Sequence, residues 1–160
     1  SALPEKLDGL VLGGGFPEVF AEQVSANGAL LKSLHKVVAS GMPCYAECGG
    51  LMLLAESLET KEGCRFPMAG VVPGTVRMTD RLQNFGYCRG LAEGTPEARG
   101  HEFHHSEWME EPELANLWTV TRHSTGISRR EGFGTETLHA SYVHLHFPQA
   151  APLVRRVLRL

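Results

Sequence analysis

Hydrophobic and polar positions follow one pattern in the first part of the chain and another in the remainder. The first part alternates short apolar runs with amphipathic stretches, and residues 13–15, all glycine, end the first run. Short apolar runs that end at glycines are typical of buried strands, and apolar positions at helical spacing predict helices between them. The predicted elements are a strand over 7–12, helices over 17–25 and 28–38, the second capped by Asn27, a strand over 42–46 and a helix over 51–55. This order favours a parallel sheet covered by helices on both faces.

From about residue 68 the pattern changes to short runs rich in β-forming residues, several of them bounded by glycine. The predicted strands cover 69–72, 75–78, 85–91, 102–108, 117–122 and 137–143, and a helix follows from about 148. These strands are expected to be antiparallel or mixed, with 93–100 as an exposed loop. We therefore predict one α/β domain, because 160 residues can bury a core without disulfides or metals.

Composition excludes several classes of protein. The net charge of −3 leaves no electrostatic footprint for nucleic acid or an anionic membrane, and Arg155, Arg156 and Arg159 are expected on a solvated helix face. No apolar run approaches a membrane span, and no signal peptide opens the chain, so we expect a cytoplasmic protein. The four scattered cysteines are expected to be reduced thiols, and their spacing predicts no structural zinc site.

Cys48 lies where the second predicted strand meets a helix. Such a tight turn would expose its sulfur, the helix start would favour the thiolate, and the Gly49 N–H could donate to an oxyanion. The glycine turn at 13–15 is expected at the same edge of the sheet, where ligands of open α/β sheets bind. Simpler interpretations remain open: a buried cysteine at a helix start, and a plain tight turn. A phosphate loop is not supported, because no Gly-Lys-Ser/Thr follows.

A cysteine nucleophile needs a base from elsewhere in the chain, and histidine is the usual one. One group of candidates is His139, His144 and His146, of which the last two share a strand face; another is the stretch 100–106 with three histidines. Each could instead be an ordinary surface or core-edge histidine. A zinc or iron site is an alternative, with Glu102 or Glu107 as a base, but no His-Glu-x-x-His pattern supports it. Its ligands would be His101, His104 and His105 together with His144 or His146.

Five segments together resemble the glutamine amidotransferase domain of cobyrinic acid a,c-diamide synthases. They read Gly-Gly-Phe-Pro-Glu (14–18), Ala-Glu-Cys-Gly-Gly-Leu-Met (46–52), Pro-Met-Ala-Gly-Val-Val-Pro (67–73), Gly-His-Glu-Phe-His-His-Ser (100–106) and Ser-Tyr-Val-His-Leu-His-Phe (141–147). The resemblance covers nearly the whole chain in the right order. It implies a flavodoxin-like, class I glutaminase domain with a mostly parallel sheet flanked by helices.

The same resemblance implies roles for individual residues. Cys48 would be the nucleophile that forms a glutamyl thioester, and His144 its base and the acid for departing ammonia. Backbone N–H groups at Gly15 and Gly49 would form the oxyanion hole. Further residues are expected at the substrate or at an interface: Gly14, Glu47, His101, Glu102 and His104.

Two departures from the family pattern concern the site. Many glutaminases of this class carry His-Pro-Glu, in which the glutamate orients the histidine, but this chain has His144-Leu145-His146. A dyad is therefore expected, or a triad in which His146 takes the third position. Gly13 stands where the family commonly has proline, which would loosen the turn without removing its donors.

The third departure concerns the start of the chain. Relatives carry a strand, a helix and a further strand before the segment that corresponds to 7–12, so the resemblance implies the C-terminal part of a longer synthetase. The expected partners are glutamine, an N-terminal ATP-binding synthetase domain that also holds Mg²⁺, and a corrinoid precursor bound through that domain. No cofactor is expected in this chain. An exposed sheet edge would favour a homodimer.

The sequence leaves two other functions open. One is a docking or regulatory module that keeps the fold without activity, and the other is a related cysteine hydrolase that cleaves a peptide or γ-glutamyl bond. The 100–106 stretch argues against a general cysteine hydrolase, because the resemblance implies that such hydrolases of this fold do not carry this stretch. Which tetrapyrrole would be amidated does not follow from the sequence.

Overall fold

The computed structural model describes residues 2–92, 94–110 and 117–160. Four helices lie in this part of the chain: α1 (Ala21–Ala26), α2 (Gly28–Ala39), α3 (Gly49–Leu54) and α4 (Phe147–Leu158), with a 3-10 turn at Pro17–Phe20. The strands are β1 (Leu10–Leu12), β2 (Cys44–Glu47), β3 (Ala55–Glu59), β4 (Arg65–Pro67), β5 (Val72–Met78), β6 (Asn84–Leu91), β7 (Ala98–His104), β8 (Ser106–Trp108), β9 (Trp118–Arg122), β10 (Ser128–Glu131), β11 (Phe133–Gly134), β12 (Leu138–Ser141) and β13 (His144–Leu145).

The sheet that positions the site has the order β1-β2-β12-β11. β1, β2 and β12 are parallel, with Leu12, Ala46 and Ala140 in register, and β11 closes one side antiparallel. The carboxyl ends of the three parallel strands therefore lie along one edge. The glycine turn, Cys48 and Ser141 come directly after or at those ends, as expected for an open α/β sheet.

Both faces of this sheet are covered by helices, and the residues of β2 point alternately into a core on each face. Cys44 and Ala46 belong to the core formed with α2 and α3, while Tyr45 between them packs into a second core that includes α4. All three side chains are fully buried. Burial on both faces explains why β2 is a continuous apolar run without alternation.

A second sheet is antiparallel and has the order β10-β9-β6-β7-β13. One face is buried through Cys88, Trp118 and Val120. On the other face, which we call the aromatic face, Phe85, Tyr87 and Phe103 are exposed. Its edge strand β13 continues from β12, so the second sheet joins the first next to the site. A third sheet, β4-β3-β5-β8, packs beside α3.

Several predicted elements differ from the structure. No strand covers residues 69–71, since β5 begins at Val72, and the run 102–108 is broken at His105 into β7 and β8. The predicted loop 93–100 is wrong from Ala98 onward, where β7 begins, and Glu93 lies outside the described residues. β3 was not predicted, because its charged positions Glu56 and Glu59 interrupt the apolar run. The parallel and antiparallel parts of the fold agree with the prediction.

β1 is the outermost strand of the first sheet, and Val11 on it is about half exposed. The homodimer expected from the sequence stays a prediction. In the part of the chain that the structure describes, every helix is too short or too polar to cross a membrane.

Candidate active site

The candidate nucleophile occupies a strained turn. β2 ends at Glu47, α3 begins at Gly49, and Cys48 between them has φ 48° and ψ −104°. A non-glycine residue with positive φ costs on the order of 1–3 kcal/mol, and such strain concentrates at functional sites. The Cys48 N–H donates to the Ser141 carbonyl at 2.8 Å, which ties this turn to the end of β12. Cys48 is thus held at the carboxyl edge of the sheet, 8% exposed.

Close backbone contacts around Cys48 require glycine. A Cβ added at Gly49 would lie 2.5 Å from the Gly15 carbonyl oxygen and 2.7 Å from its nitrogen, and one at Gly50 would overlap Leu12. The glycine turn after β1 therefore packs directly against the first turn of α3, where helix N–H groups have no intrahelical partner. The structure brings Gly15 and Gly49 together; their role as an oxyanion hole remains a prediction.

His144 reaches the same place from β13. A Cβ at Gly14 would overlap its imidazole, so glycine at 14 makes room for the ring. The interaction of its ring with the Cys48 side chain is the main cause that raises the pKa of His144 to about 10, followed by its interaction with Glu47. His144 is therefore an imidazolium at neutral pH, and its positive charge lies beside the Cys48 sulfur. α3 has only six residues, and the effect on the thiolate that the sequence suggested for the helix start stays a prediction.

Glu47 lies on the other side of His144. Its Oε2 is 3.7 Å from His144 Nδ1, an ion-pair contact, while its Oε1 accepts hydrogen bonds from other groups. Burial raises the pKa of Glu47, but its contact with the His144 ring and the hydrogen bonds from the Tyr45 hydroxyl and the Leu145 N–H outweigh this effect, so the pKa lies below its ordinary value. Glu47, predicted as a substrate or interface residue, is thus a buried carboxylate in contact with His144.

His146 does not occupy the position that the sequence suggested for it. Its N–H donates to the Arg99 carbonyl at 3.0 Å, and it precedes the first turn of α4. The structure places Glu47, and not His146, beside His144 Nδ1. The reason is topological: β13 ends at Leu145, and the chain turns away into α4.

His101 is the other histidine at the site. It pairs with His144 across β7 and β13, and the two rings stack with centroids 5.0 Å apart. A cavity of about 720 Å³ extends from His101 over the second sheet, with Tyr87, Arg99 and His146 among its lining residues. The cavity borders the site through His101, whose ring stacks on His144, whereas Cys48 and His144 themselves are not among its lining residues.

The segment 100–106 alternates between two environments. His101 and Phe103 are exposed, whereas Glu102 and His104 are buried. Glu102 accepts a hydrogen bond from Arg129, and the His104 ring stacks on Tyr142 at 3.9 Å. Glu102 thus links β7 to β10, and His104 packs β7 against the segment between β12 and β13. The contacts given for these two residues do not include Cys48.

His139 and the histidines of 100–106 were the other candidates for a base or a metal site. His139 is fully buried between Tyr45 and Trp118, and burial lowers its pKa to about 4, so it is a neutral core residue. Neither of its ring nitrogens has a hydrogen-bond partner among the described residues. Alternation along β7 puts His101 and His104 on opposite faces. Over the described ranges, no three His, Cys, Asp or Glu side chains are grouped as metal ligands would be.

Two residues at the site were not found from the sequence. Tyr45 shares a strand face with Glu47, so its period-two spacing could have indicated the contact. Ser141 carries no such signal, because its carbonyl meets Cys48 only through the parallel pairing of β12 with β2.

One protein-family model matches residues 1–152, that of the CobB/CobQ-like glutamine amidotransferase domain. The chain belongs to this family. The resemblance in the five sequence segments is thereby confirmed, and the chain is a glutamine amidotransferase domain.

Curated relatives carry a more specific name. The chain is 37% identical over 171 residues to the cobyrinate a,c-diamide synthase of Dehalococcoides mccartyi strain CBDB1, covering 100% of this chain and 36% of that protein. It is 42% identical over 153 residues to the same-named protein of Listeria innocua, covering 89% of this chain and 33% of the relative. The amidotransferase domain thus spans about a third of these relatives.

Solved structures support the fold. A crystal structure of a glutamine amidotransferase matches with a TM-score of 0.65 at 18% identity, over 98% of this chain and 82% of the other. A putative GMP synthase protein from Thermoplasma acidophilum matches with a TM-score of 0.56 at 18% identity, over 96% and 73%. The predicted α/β class is confirmed.

Proposed function

We propose that this domain hydrolyses glutamine through Cys48 and His144 and supplies ammonia for the amidation of a cobyrinate-type corrinoid. The observation that carries the proposal is Cys48 at positive φ in a glycine-lined turn, with the side chain of His144 against it. Nucleophile and base within reach on a strained strand-to-helix turn form the arrangement that acyl transfer requires.

In the first half of the reaction, the Cys48 thiolate attacks the side-chain carboxamide carbon of glutamine. The oxyanion that forms is stabilised by the N–H groups of Gly15 and Gly49, since the Cys48 N–H is already bonded to Ser141. Protonated His144 gives its proton to the leaving nitrogen. Ammonia departs and a glutamyl thioester remains on Cys48.

In the second half, neutral His144 takes a proton from water, and the resulting hydroxide attacks the thioester carbon. The carbon–sulfur bond breaks, glutamate leaves, and the thiolate–imidazolium pair is restored. The raised pKa of His144 matches this cycle, because the ring begins each turnover as a proton donor.

The ammonia is consumed elsewhere in the longer protein. The curated relatives are about three times as long as the matched region, and their name indicates amidation of two carboxylates. We infer that this chain is the C-terminal glutaminase part, and that ATP and Mg²⁺ bind to the N-terminal synthetase part together with the corrinoid. The aromatic face, which is continuous with the site through His101, docks against that part.

The test compares two nitrogen sources in the full-length synthase. Cys48→Ala is expected to abolish glutamine-driven amidation and to leave ammonia-driven amidation unchanged, because only the first needs a thioester. Cys64→Ala is the matched control, since Cys64 is exposed and away from the site. Equal loss with both nitrogen sources would make Cys48 a structural residue. A Cys48 that a glutamine-mimicking electrophile does not label would favour the docking module.

A further inference from the structure

Glu47 is a buried carboxylate at the end of β2, directly before the nucleophile. Its side chain is 12% exposed, and the strand's alternation puts it on the same face as Tyr45, opposite Ala46. A buried carboxylate is costly unless its oxygens are paired. The partners of Glu47 therefore show what the position is built to do.

One carboxylate oxygen is fixed by two donors. Oε1 accepts a hydrogen bond from the Tyr45 hydroxyl at 2.5 Å and one from the Leu145 N–H at 2.8 Å. Tyr45 is itself immobilised, with its ring stacked on His139 and in edge contact with Phe147. Because both donors hold Oε1, the orientation of the carboxylate is set, and Oε2 is left for another partner.

That partner is His144. Oε2 lies 3.7 Å from Nδ1, which leaves Nε2 as the ring nitrogen available to Cys48. Catalytic contacts of this kind are often long before substrate binds and shorten in the complex. The hydrogen bond from the Leu145 N–H is a second link between Glu47 and β13, the strand that carries His144. The carboxylate therefore fixes the position of this backbone and also the orientation of the His144 ring.

We propose that Glu47, fixed by Tyr45 and the Leu145 N–H, is the positioning residue that orients His144 and stabilises its imidazolium form during glutamine hydrolysis. The proposal rests on the proposed function of Cys48 and His144. Glu47 takes the third position beside His144, which the sequence suggested for His146. Its carboxylate comes from the residue before the nucleophile and not from a residue after the histidine. A buried carboxylate in contact with Nδ1 orients the ring and favours its charged form without taking up the proton itself.

The charges around the pair agree with this role. The titratable groups that face His144 are Glu47 from β2, Cys48 from the turn and His101 from β7. Tyr45 remains a hydroxyl donor, because burial and then its hydrogen bond with Glu47 raise its pKa. Glu47 remains a carboxylate at neutral pH, since its pKa is lowered. A negative, oriented partner for His144 is thus present.

The main test is Glu47→Gln, which keeps the size and an acceptor for Tyr45 and Leu145 but removes the charge. We expect the pKa of His144, measured by NMR titration, to fall by about one unit or more. In glutaminase assays of the full-length synthase we expect kcat to fall at least about tenfold with little change in KM. Glu47→Asp, which restores the charge, should recover part of both. Glu56→Gln, the same substitution at an exposed position of β3, is the control.

A folded Glu47→Gln variant with an unchanged His144 pKa and pH profile would overturn the proposal and leave Glu47 a structural link. Tyr45→Phe gives a second test that keeps the charge. Because Oε1 then loses one of its two donors, the pKa of Glu47 should rise. The acidic limb of the pH profile of kcat should therefore move to higher pH, and an acidic limb that does not move would contradict the proposal. The NMR titration needs no turnover, so a failure of the glutaminase function is distinguishable from a failure of Glu47.

Discussion

At the scale of single residues, the site depends on glycines that leave no room for a side chain. The first turn of α3 touches the glycine turn through backbone atoms, which cannot move aside as a flexible side chain can. Steric demand thus accounts for Gly14, Gly49 and Gly50 without reference to glycine flexibility. It also couples the position of the nucleophile to the position of the oxyanion donors.

Gly49→Ala is the prediction that follows. The new methyl group would lie 2.5 Å from the Gly15 carbonyl oxygen, so the turn must shift, at a cost of about 1–3 kcal/mol in the free energy of unfolding. Labelling of Cys48 by a glutamine-mimicking electrophile should slow as well. Gly28→Ala is the control, because nothing lies within 4 Å of its Cβ position. Urea unfolding checks the first effect; equal stability of both variants would contradict the packing argument.

The raised pKa of His144 makes stability depend on pH. Its contacts with Cys48 and then Glu47 raise that pKa from 6.5 to about 10, so the folded state favours the charged ring. The stabilisation is fully present below about pH 6.5, declines as pH rises, and is lost above about pH 10. The difference in unfolding free energy between the wild type and His144→Gln should therefore shrink across this range. A constant difference in urea titrations from pH 6.5 to 10 would show that the imidazolium is not stabilised.

At the scale of elements, Glu131 connects the second sheet, where it ends β10, to the first sheet, where its partner Ser141 ends β12. This buried carboxylate ends β10, and it accepts hydrogen bonds of 2.7 Å each from the Trp118 indole, the Ser141 hydroxyl and the Tyr142 N–H. Ser141 in turn accepts from the Cys48 N–H. Glu131 therefore anchors the end of β12 on which the nucleophile turn depends.

We expect Glu131→Ala to destabilise the domain by about 3 kcal/mol or more, because three buried donors lose their acceptor at once. Glu131→Gln keeps one acceptor oxygen and the side-chain volume, so its cost should be smaller. Chemical unfolding of both variants measures the difference, and Glu136→Ala, an exposed glutamate of the same segment, is the control. If Glu131→Ala unfolds like the control, the network is not what joins the sheets.

Elements buried on both faces were the part of the fold that the sequence pattern predicted best. The run at 42–46 is rich in apolar residues because β2 has a neighbouring strand on each side in the first sheet and a core on each face. β1 was predicted as well, although it lies at the edge of that sheet and Val11 on it is half exposed. β3 and the break at His105 were missed, since partly exposed strands mix charges into their pattern. At the site, Cys48 could be found from its strand-to-helix position, and His144 from the resemblance. Glu47 as the partner of His144 could not, because the contact depends on the pairing of β12 with β2, which brings the following strand β13 to the end of β2.

At the scale of the whole molecule, the domain exposes aromatic surface next to its site. Phe85 is 61% and Tyr87 77% exposed, and Tyr87 pairs in register with His101, whose ring stacks on His144. Exposed apolar patches of this kind mark interaction surfaces. The relatives are about three times as long as the matched region, so we propose that their remaining length supplies the partner.

The double substitution Phe85→Ser and Tyr87→Ser in the full-length synthase tests this docking. Both side chains are exposed, so the fold should persist, and so should glutamine hydrolysis and ammonia-driven amidation. Glutamine-driven amidation should fall by about tenfold or more, because ammonia released at an undocked site escapes to solvent. Ile127→Ser, which removes another exposed apolar side chain beyond the end of β9, is the control. An unchanged ratio of amide formed to glutamine consumed would mean that the synthetase part docks elsewhere, and the aromatic face would then have to serve a different partner.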